Sequence, residues 1–291
     1  MAITSSPANL HIVECPRDAM QGWKTFIPTE KKIDYINNLL QVGFDTLDCG
    51  SFVSPKVIPQ MADTSNVISQ LSLDGSKTKL LVIVVNGRGA EEAVTHENIT
   101  YLGFPFSISP TFQQRNANST LEESLKRVEE IQTLCLKHDK KLVVYLSMGF
   151  GNPYGDLYNE EVLLRWAEEM VKLDIKIISL ADTVGVATPE QISLALSTLI
   201  PKYPEVEFGV HLHSTPANWQ QKLEAALSAG CKRFDGALKG IGGCPMAKDD
   251  LVGNMNTEWM LSYFEQEKHL QSINKEALQK CIKIAEEIFV S

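Results

Sequence analysis

Short apolar, β-branched runs alternate along the chain with longer stretches in which apolar residues return every three or four positions. The first pattern predicts buried strands and the second amphipathic helices. Leu10–Cys15 reads as a strand. Thr29–Gln41 reads as a helix, with Ile33, Ile36, Leu39 and Leu40 on one face and Thr29 as its cap. Phe44–Asp48 predicts the second strand, and Pro59–Leu71 is helical. Lys79–Val85 predicts the third, followed by a short helix over Gly89–His96, and Ile99–Phe106 the fourth. A long helix is predicted over Ser119–His138, opened by a capping box that pairs Ser119 with Glu122. Lys141–Ser147, Ile175–Leu180, Glu207–His213 and Arg233–Ala237 predict strands five to eight. Glu160–Lys172, Pro189–Leu199 and Trp219–Ala229 predict the helices between them, and helices near Thr257–Glu267 and Lys275–Val290 finish the chain.

Alternating strand and helix calls for a parallel sheet. Eight such units in roughly 250 residues is the arithmetic of an α/β (β/α)8 TIM barrel. A doubly wound open sheet is the rival, weakened because no Gly-x-Gly-x-x-Gly follows the first strand. No linker-like segment divides the chain, so a single domain over residues 1–291 is expected, with residues 257–290 as extra C-terminal helices.

Composition narrows the partners. Of 291 residues, 44% are hydrophobic and 22% charged, an ordinary globular balance. The net charge of −9 and the lack of a lysine/arginine run leave no nucleic-acid footprint and no attraction to an anionic membrane. A small phosphate-bearing molecule, needing only a local basic pocket, remains open. No apolar run is long enough to span a bilayer, and Met1–Leu10 has no signal-peptide pattern. Six scattered cysteines (15, 49, 135, 231, 244 and 281) without Cys-x-x-Cys pairs read as reduced thiols of a cytoplasmic protein.

Active sites of this barrel lie where strands end, and the polar oddities gather there. Strand one runs into Cys15-Pro16-Arg17-Asp18, strand two ends at Asp48, strand six runs into Asp182, and strand seven ends in His211 and His213. Alternate residues of a strand face one way, so the two imidazoles either cap the strand or close on one metal ion. Asp18, His211 and His213 with the amide oxygen of Asn254 make a nitrogen/oxygen set without thiolate, better suited to Mg²⁺ or Mn²⁺ than to structural zinc. Arg17, either a solvated surface partner or a site residue, could stabilise a developing oxyanion or enolate. Cys244, in the glycine-rich Gly240-Ile241-Gly242-Gly243-Cys244 loop, is either a small buried hydrophobe or a mobile thiol.

These residues fall in stretches that together resemble the hydroxymethylglutaryl-CoA lyase family of metal-dependent TIM-barrel lyases and condensing synthases. The stretches are VECPRDAMQ, SFVSPKVIPQM, SLADTVGVATP, GVHLHST and GIGGCPMA followed by GNMNTE, in the family's order from about Leu10 to Glu258. The resemblance implies that Asp18, His211, His213 and Asn254 bind a divalent cation. It implies catalytic roles for Arg17, Asp48, Asp182, His211 and Cys244, with Arg17 neutralising an enolate and Cys244 moving protons. The implied reaction is retro-Claisen cleavage of 3-hydroxy-3-methylglutaryl-CoA to acetyl-CoA and acetoacetate, as in leucine breakdown. A related lyase or synthase acting on another acyl-CoA or 2-keto acid is the alternative, and a non-catalytic acyl-CoA-binding barrel a further one. Lys56, Arg88 and Arg115 are candidates for holding CoA, or plain surface charge, and a homodimer is expected. Departures from the family pattern are Asp48 for a glutamate, Ser214 for an aspartate and Asn152 for a cysteine.

Overall fold

In the computed structural model, residues 10–243, 252–269 and 273–290 are described. Among them the elements run β1 (His11–Glu14), α1 (Pro16–Gln21), α2 (Thr29–Leu39), β2 (Thr46–Ser51), α3 (Thr64–Ser69), β3 (Lys79–Ile83) and α4 (Gly87–Ala93). They continue with β4 (Ile99–Ser107), α5 (Pro110–Ala117), α6 (Leu121–Lys137), β5 (Lys141–Ser147), α7 (Glu160–Lys172), β6 (Ile177–Ala181) and α8 (Pro189–Lys202). The last are β7 (Glu207–His211), α9 (Trp219–Ser228), β8 (Arg233–Gly236), α10 (Thr257–Gln266) and α11 (Lys275–Ile288). The strands pair in parallel in the order β1 to β8, and β1 pairs with β8, so the sheet closes into the expected TIM barrel.

Closure explains the apolar runs. Each strand is covered outside by helices and filled inside by side chains, so both faces are buried. Inside, Leu81, Ile83, Tyr101, Val143, Tyr145 and Ile177 pack together, while a larger cluster joins the outer strand faces to the helices. The helix starts follow local chemistry. Thr188 and Gln191 cap α8 reciprocally, with Pro189 at the first turn. Asn159 accepts from Val162 N to open α7.

Several elements depart from the sequence reading. The capping box of α6 uses Thr120 and Glu123, not Ser119 and Glu122. Ser119 Oγ instead accepts from Gln113 Nε2, so that hydroxyl serves the preceding helix. Pro59–Leu71 is not one helix: a 3-10 turn over Pro59–Met61 precedes α3. The Arg17-Asp18 segment is not loop but the first turn of α1, opened by Pro16. The helix α5 was not expected at all, though Ser109 caps it, Pro110 begins it and Asn118 ends it at φ 46° in the left-handed region.

The carboxyl of Glu14, at the end of β1, joins the barrel to the segment that follows β8. Its two oxygens accept from Leu238 N at 2.8 Å and from Thr257 Oγ1 at 2.6 Å. Burial pushes this carboxyl up to about 8 from an ordinary value of 4.5, against the pull of both hydrogen bonds. The fold therefore favours the protonated form. Its stabilising contribution is full below pH 4.5 and is lost as pH rises through about 8. Glu14→Gln mimics the protonated acid, so its unfolding free energy relative to the parent is expected to climb between pH 5 and pH 8.5, by an amount on the order of a few kcal/mol. A difference that stays flat across that range would contradict the shift.

Candidate active site

The turn α1 begins directly where β1 ends, and Asp18 N donates to Cys15 O at 3.1 Å. That turn lifts Arg17 and Asp18 to the barrel mouth. Across the mouth, β7 ends at His211 rather than running on to His213. His213 instead forms an isolated antiparallel bridge with Asn254. Ser214 N donates to Gly253 O at 3.0 Å and Met255 N to Leu212 O at 2.9 Å, which laces residues 252–256 beside the strand end. Asp18, His211 and His213 thereby each place a ligand atom within 4.8 Å of the others.

The protonation states suit a cation. Burial opposes the charge of Asp18, yet Arg17, His211 and Asn254 hold its carboxyl down to about 2. Burial, with His211 beside it, lowers His213 to about 3, so its imidazole is neutral. Burial lowers His211 too, but the hydrogen bond and charge of Asp235 outweigh it and leave its pKa raised. His211 Nδ1 donates to Asp235 Oδ2 at 3.2 Å, which turns Nε2 toward the mouth. A cation must displace any proton that His211 holds.

Asn254 Nδ2 donates to Asp18 Oδ2 at 2.7 Å and to Ile241 O at 2.9 Å. Its Oδ1 is buried without a hydrogen-bond partner. An orphaned buried acceptor beside one carboxylate and two imidazoles is what a divalent cation would satisfy. The residues present therefore fit such an ion. Gly242, at φ +113°, permits this approach: a Cβ there would lie 2.4 Å from Asn254 Nδ2 and 3.0 Å from Asp18 Oδ2.

Arg17 lies beside the set. Its Nε donates to both Asp48 oxygens at 3.1 Å, its Nη2 also meets Asp48 Oδ2, and its Nη1 donates to Asp18 Oδ1 at 2.8 Å. Burial pushes the Asp48 carboxyl up against the pull of that guanidinium. The shorter Asp48 thus reaches the arginine fork rather than the ligand set. Gln21 Nε2 donates to the same oxygen, Asp18 Oδ1, at 2.7 Å. Arg17, Asp18, His211 and His213 line one wall of a cavity of about 450 Å³, whose apolar side includes Val53, Ile83 and Phe112.

Asp182 is not on that wall. Its Oδ2 accepts from Lys222 Nζ at 2.6 Å and its Oδ1 from Ala187 N at 3.0 Å. Cys244 lies outside the described residues. Of the candidate CoA contacts, only Arg115 lines the cavity, its guanidinium 4.6 Å from the Tyr154 ring centre. Asn152 Oδ1 accepts from Tyr154 N and Asp156 N, so it shapes the loop after β5. Ser214 Oγ donates to Met255 Sδ at 3.6 Å.

Sequence reasoning missed Asp235 and Lys222. Asp235 had a usable signal, since it stands opposite His211 in the β7–β8 register. Lys222 had none, because its burial depends on how α9 packs.

The HMGL-like family model matches residues 10–286. The chain is 32% identical over 272 residues to a hydroxymethylglutaryl-CoA lyase of Bacillus subtilis (strain 168), covering 94% of this chain and 90% of that one. It is 32% identical over 257 residues to the cytoplasmic 3-hydroxy-3-methylglutaryl-CoA lyase of Rattus norvegicus, covering 88% and 74%. A solved HMG-CoA lyase from Acinetobacter baumannii, in complex with coenzyme A and 3-methylmalate, superposes with a TM-score of 0.91 at 31% identity, covering 98% of this chain and 93% of that one.

Proposed function

The chain belongs to the HMGL-like family, and from that premise we propose that it is a carbon–carbon lyase cleaving 3-hydroxy-3-methylglutaryl-CoA to acetyl-CoA and acetoacetate. The observation that carries the reading is the meeting of Asp18, His211 and His213 on one cavity wall with the Arg17 guanidinium beside them.

A divalent cation held by Asp18, His211, His213 and the Asn254 carbonyl supplies Lewis acidity toward substrate oxygens. The oxygen and imidazole donors favour Mg²⁺ or Mn²⁺. The tertiary alcohol gives its proton to solvent water, and its oxygen becomes the ketone of acetoacetate. The electron pair of the broken carbon–carbon bond moves to the departing thioester as an enolate. Arg17 is placed to stabilise that negative charge, and Asp48 holds its fork in orientation. The enolate carbon then takes a proton to become the acetyl methyl group, and Cys244, which follows Gly243 in the glycine-rich segment, is the proposed donor. Asp235 keeps His211 in the orientation and tautomer that ligation needs. Asp182 acts at one remove, through the residues it anchors. Among the described residues no helix is long and apolar enough to cross a membrane. A cytoplasmic location, a homodimer and a part in leucine breakdown accompany this reading, resting on the family resemblance.

The test is release of acetoacetate from the purified protein with Mg²⁺ or Mn²⁺ and 3-hydroxy-3-methylglutaryl-CoA. Cys244→Ala is expected to lower kcat by roughly 10²-fold or more. Tight Mn²⁺ binding without product would redirect the reading to another acyl thioester. Turnover undiminished by exhaustive chelation would overturn the metal-dependent reading.

A further inference from the structure

Lys222, on the first turn of α9, is buried at 2% exposure. All three of its hydrogens are spoken for: Nζ donates to Asp182 Oδ2 at 2.6 Å, to His213 O at 2.8 Å and to Gly185 O at 3.0 Å. The three acceptors belong to two different strand-end segments. Asp182 and Gly185 lie in the loop after β6, whose Thr183 lines the cavity. His213 is the candidate ligand after β7.

The bond to His213 O fixes the peptide that joins His213 to Ser214. The nitrogen of that peptide donates to Gly253 O at 3.0 Å, and His213 bridges to Asn254. One ammonium therefore sets the backbone behind two members of the ligand set. The main chain at Asp182 continues the β6–β7 pairing, its N–H donating to His211 O at 2.9 Å, so the carboxylate that Lys222 holds sits beside His211. Of the ligand set, the Lys222 side chain contacts the backbone of His213 directly, and Asn254 is tied to that same backbone through its bridge with His213.

A buried ion pair is a poor route to stability, because removing both charges from water offsets most of their attraction. A well-packed apolar pair would hold α9 against the barrel as well. What an apolar pair would lack is a directed donor to the His213 carbonyl. We infer that Lys222 is a positioning residue for the metal ligands, acting through the His213 peptide and Asp182 without touching substrate or metal. The inference rests on the metal-site reading given above, and goes beyond it by assigning the residue that orients the set.

Mn²⁺ binding, followed by the loss of its free electron-paramagnetic-resonance signal, tests this without depending on turnover. Two variants are needed. Lys222→Met leaves Asp182 buried and unpaired, and can lose stability for that reason alone. Lys222→Met/Asp182→Asn carries neither charge, so it decides the matter if the single variant does not fold. Both are expected to bind Mn²⁺ roughly 10- to 100-fold more weakly than the parent. The loss is expected to persist in the double variant even where its melting temperature recovers. A double variant whose Mn²⁺ affinity lies within about twofold of the parent's would overturn the inference and leave Lys222 as a counter-ion to Asp182. A parent protein that binds no Mn²⁺ would instead remove the metal-site reading itself.

Discussion

Arg17→Met is expected to lower kcat on 3-hydroxy-3-methylglutaryl-CoA by roughly 10³-fold while Mn²⁺ binding stays within about tenfold of the parent. The separation follows from the geometry. Arg17 is not one of the atoms that can ligate, but its guanidinium lies on the same wall as those that can, in direct contact with Asp18. Asp48 engages Nε and Nη2 together, so the plane of the fork is set before substrate arrives. Charge that develops as the carbon–carbon bond breaks therefore meets a donor that needs no reorganisation. Lysine would not substitute, because a single ammonium cannot keep the bidentate hold on Asp48 and still face the cavity.

The variant also strands Asp48, buried at 1% exposure, without its partner. A broken buried pair costs about 3–5 kcal/mol, and lost activity could then be mistaken for unfolding. Arg17→Met/Asp48→Asn removes that ambiguity: stability is expected to return and activity to remain low. A double variant that regains kcat to within tenfold of the parent would sink the role given to Arg17.

The barrel was largely legible because its strands are apolar on both faces and its long helices are periodic. Lys141–Ser147 and Glu160–Lys172 were read with the bounds that the structure has. Of the short helices, α4 was read and α1 and α5 were not. Residues 16–21 and 110–117 are too brief for periodicity to show, and only Pro16 and the Ser109-Pro110 pair announced them. The capping box was misplaced by one residue because Ser119 and Thr120 are equally good caps, and only the packing of Gln113 decides between them.

The site divides along the same line. Asp18, His211 and His213 stand near one another because each is at a strand end, which sequence order reveals. That His213 leaves the strand and bridges to Asn254 was not visible, since the partner comes from beyond β8. Asp48 and Asp182 carried the same sequence signal as Asp18, a carboxylate at a strand end. The structure gives Asp48 and Asp18 the same basic partner, Arg17, and Asp182 another, Lys222, and of the three only Asp18 stands with both imidazoles. Distance to His211 and His213, set by the fold, separates three carboxylates that the sequence presents alike.

Asp18 should then be the most damaging of the three to remove for metal binding, and Asp18→Ala is expected to abolish detectable Mn²⁺ binding and to lower kcat by 10³-fold or more, given the roughly 10²- to 10³-fold that loss of a single transition-state donor commonly takes. Asp18 supplies the one anionic ligand beside two neutral imidazoles and a neutral amide, so its loss takes the main electrostatic attraction for a cation. It also accepts from Arg17, Gln21 and Asn254 at 2.7–2.8 Å, and those three donors lose a shared anchor at once. Thermal unfolding separates this from general damage. Saturating Mn²⁺ should stabilise the parent by about 2.7 kcal/mol when present at 100 times its dissociation constant. The variant should gain nothing from the same addition, and its metal-free melting temperature should fall below the parent's metal-free value. The fall follows because Arg17, His211 and Asn254 outweigh burial and hold the Asp18 carboxyl down to about 2, so the fold stabilises that charge at neutral pH and loses the contribution with it. A variant that still gained stability from Mn²⁺ would move the ligand set away from Asp18 and toward the other cluster that shares His211, with Cys15 and Asp235.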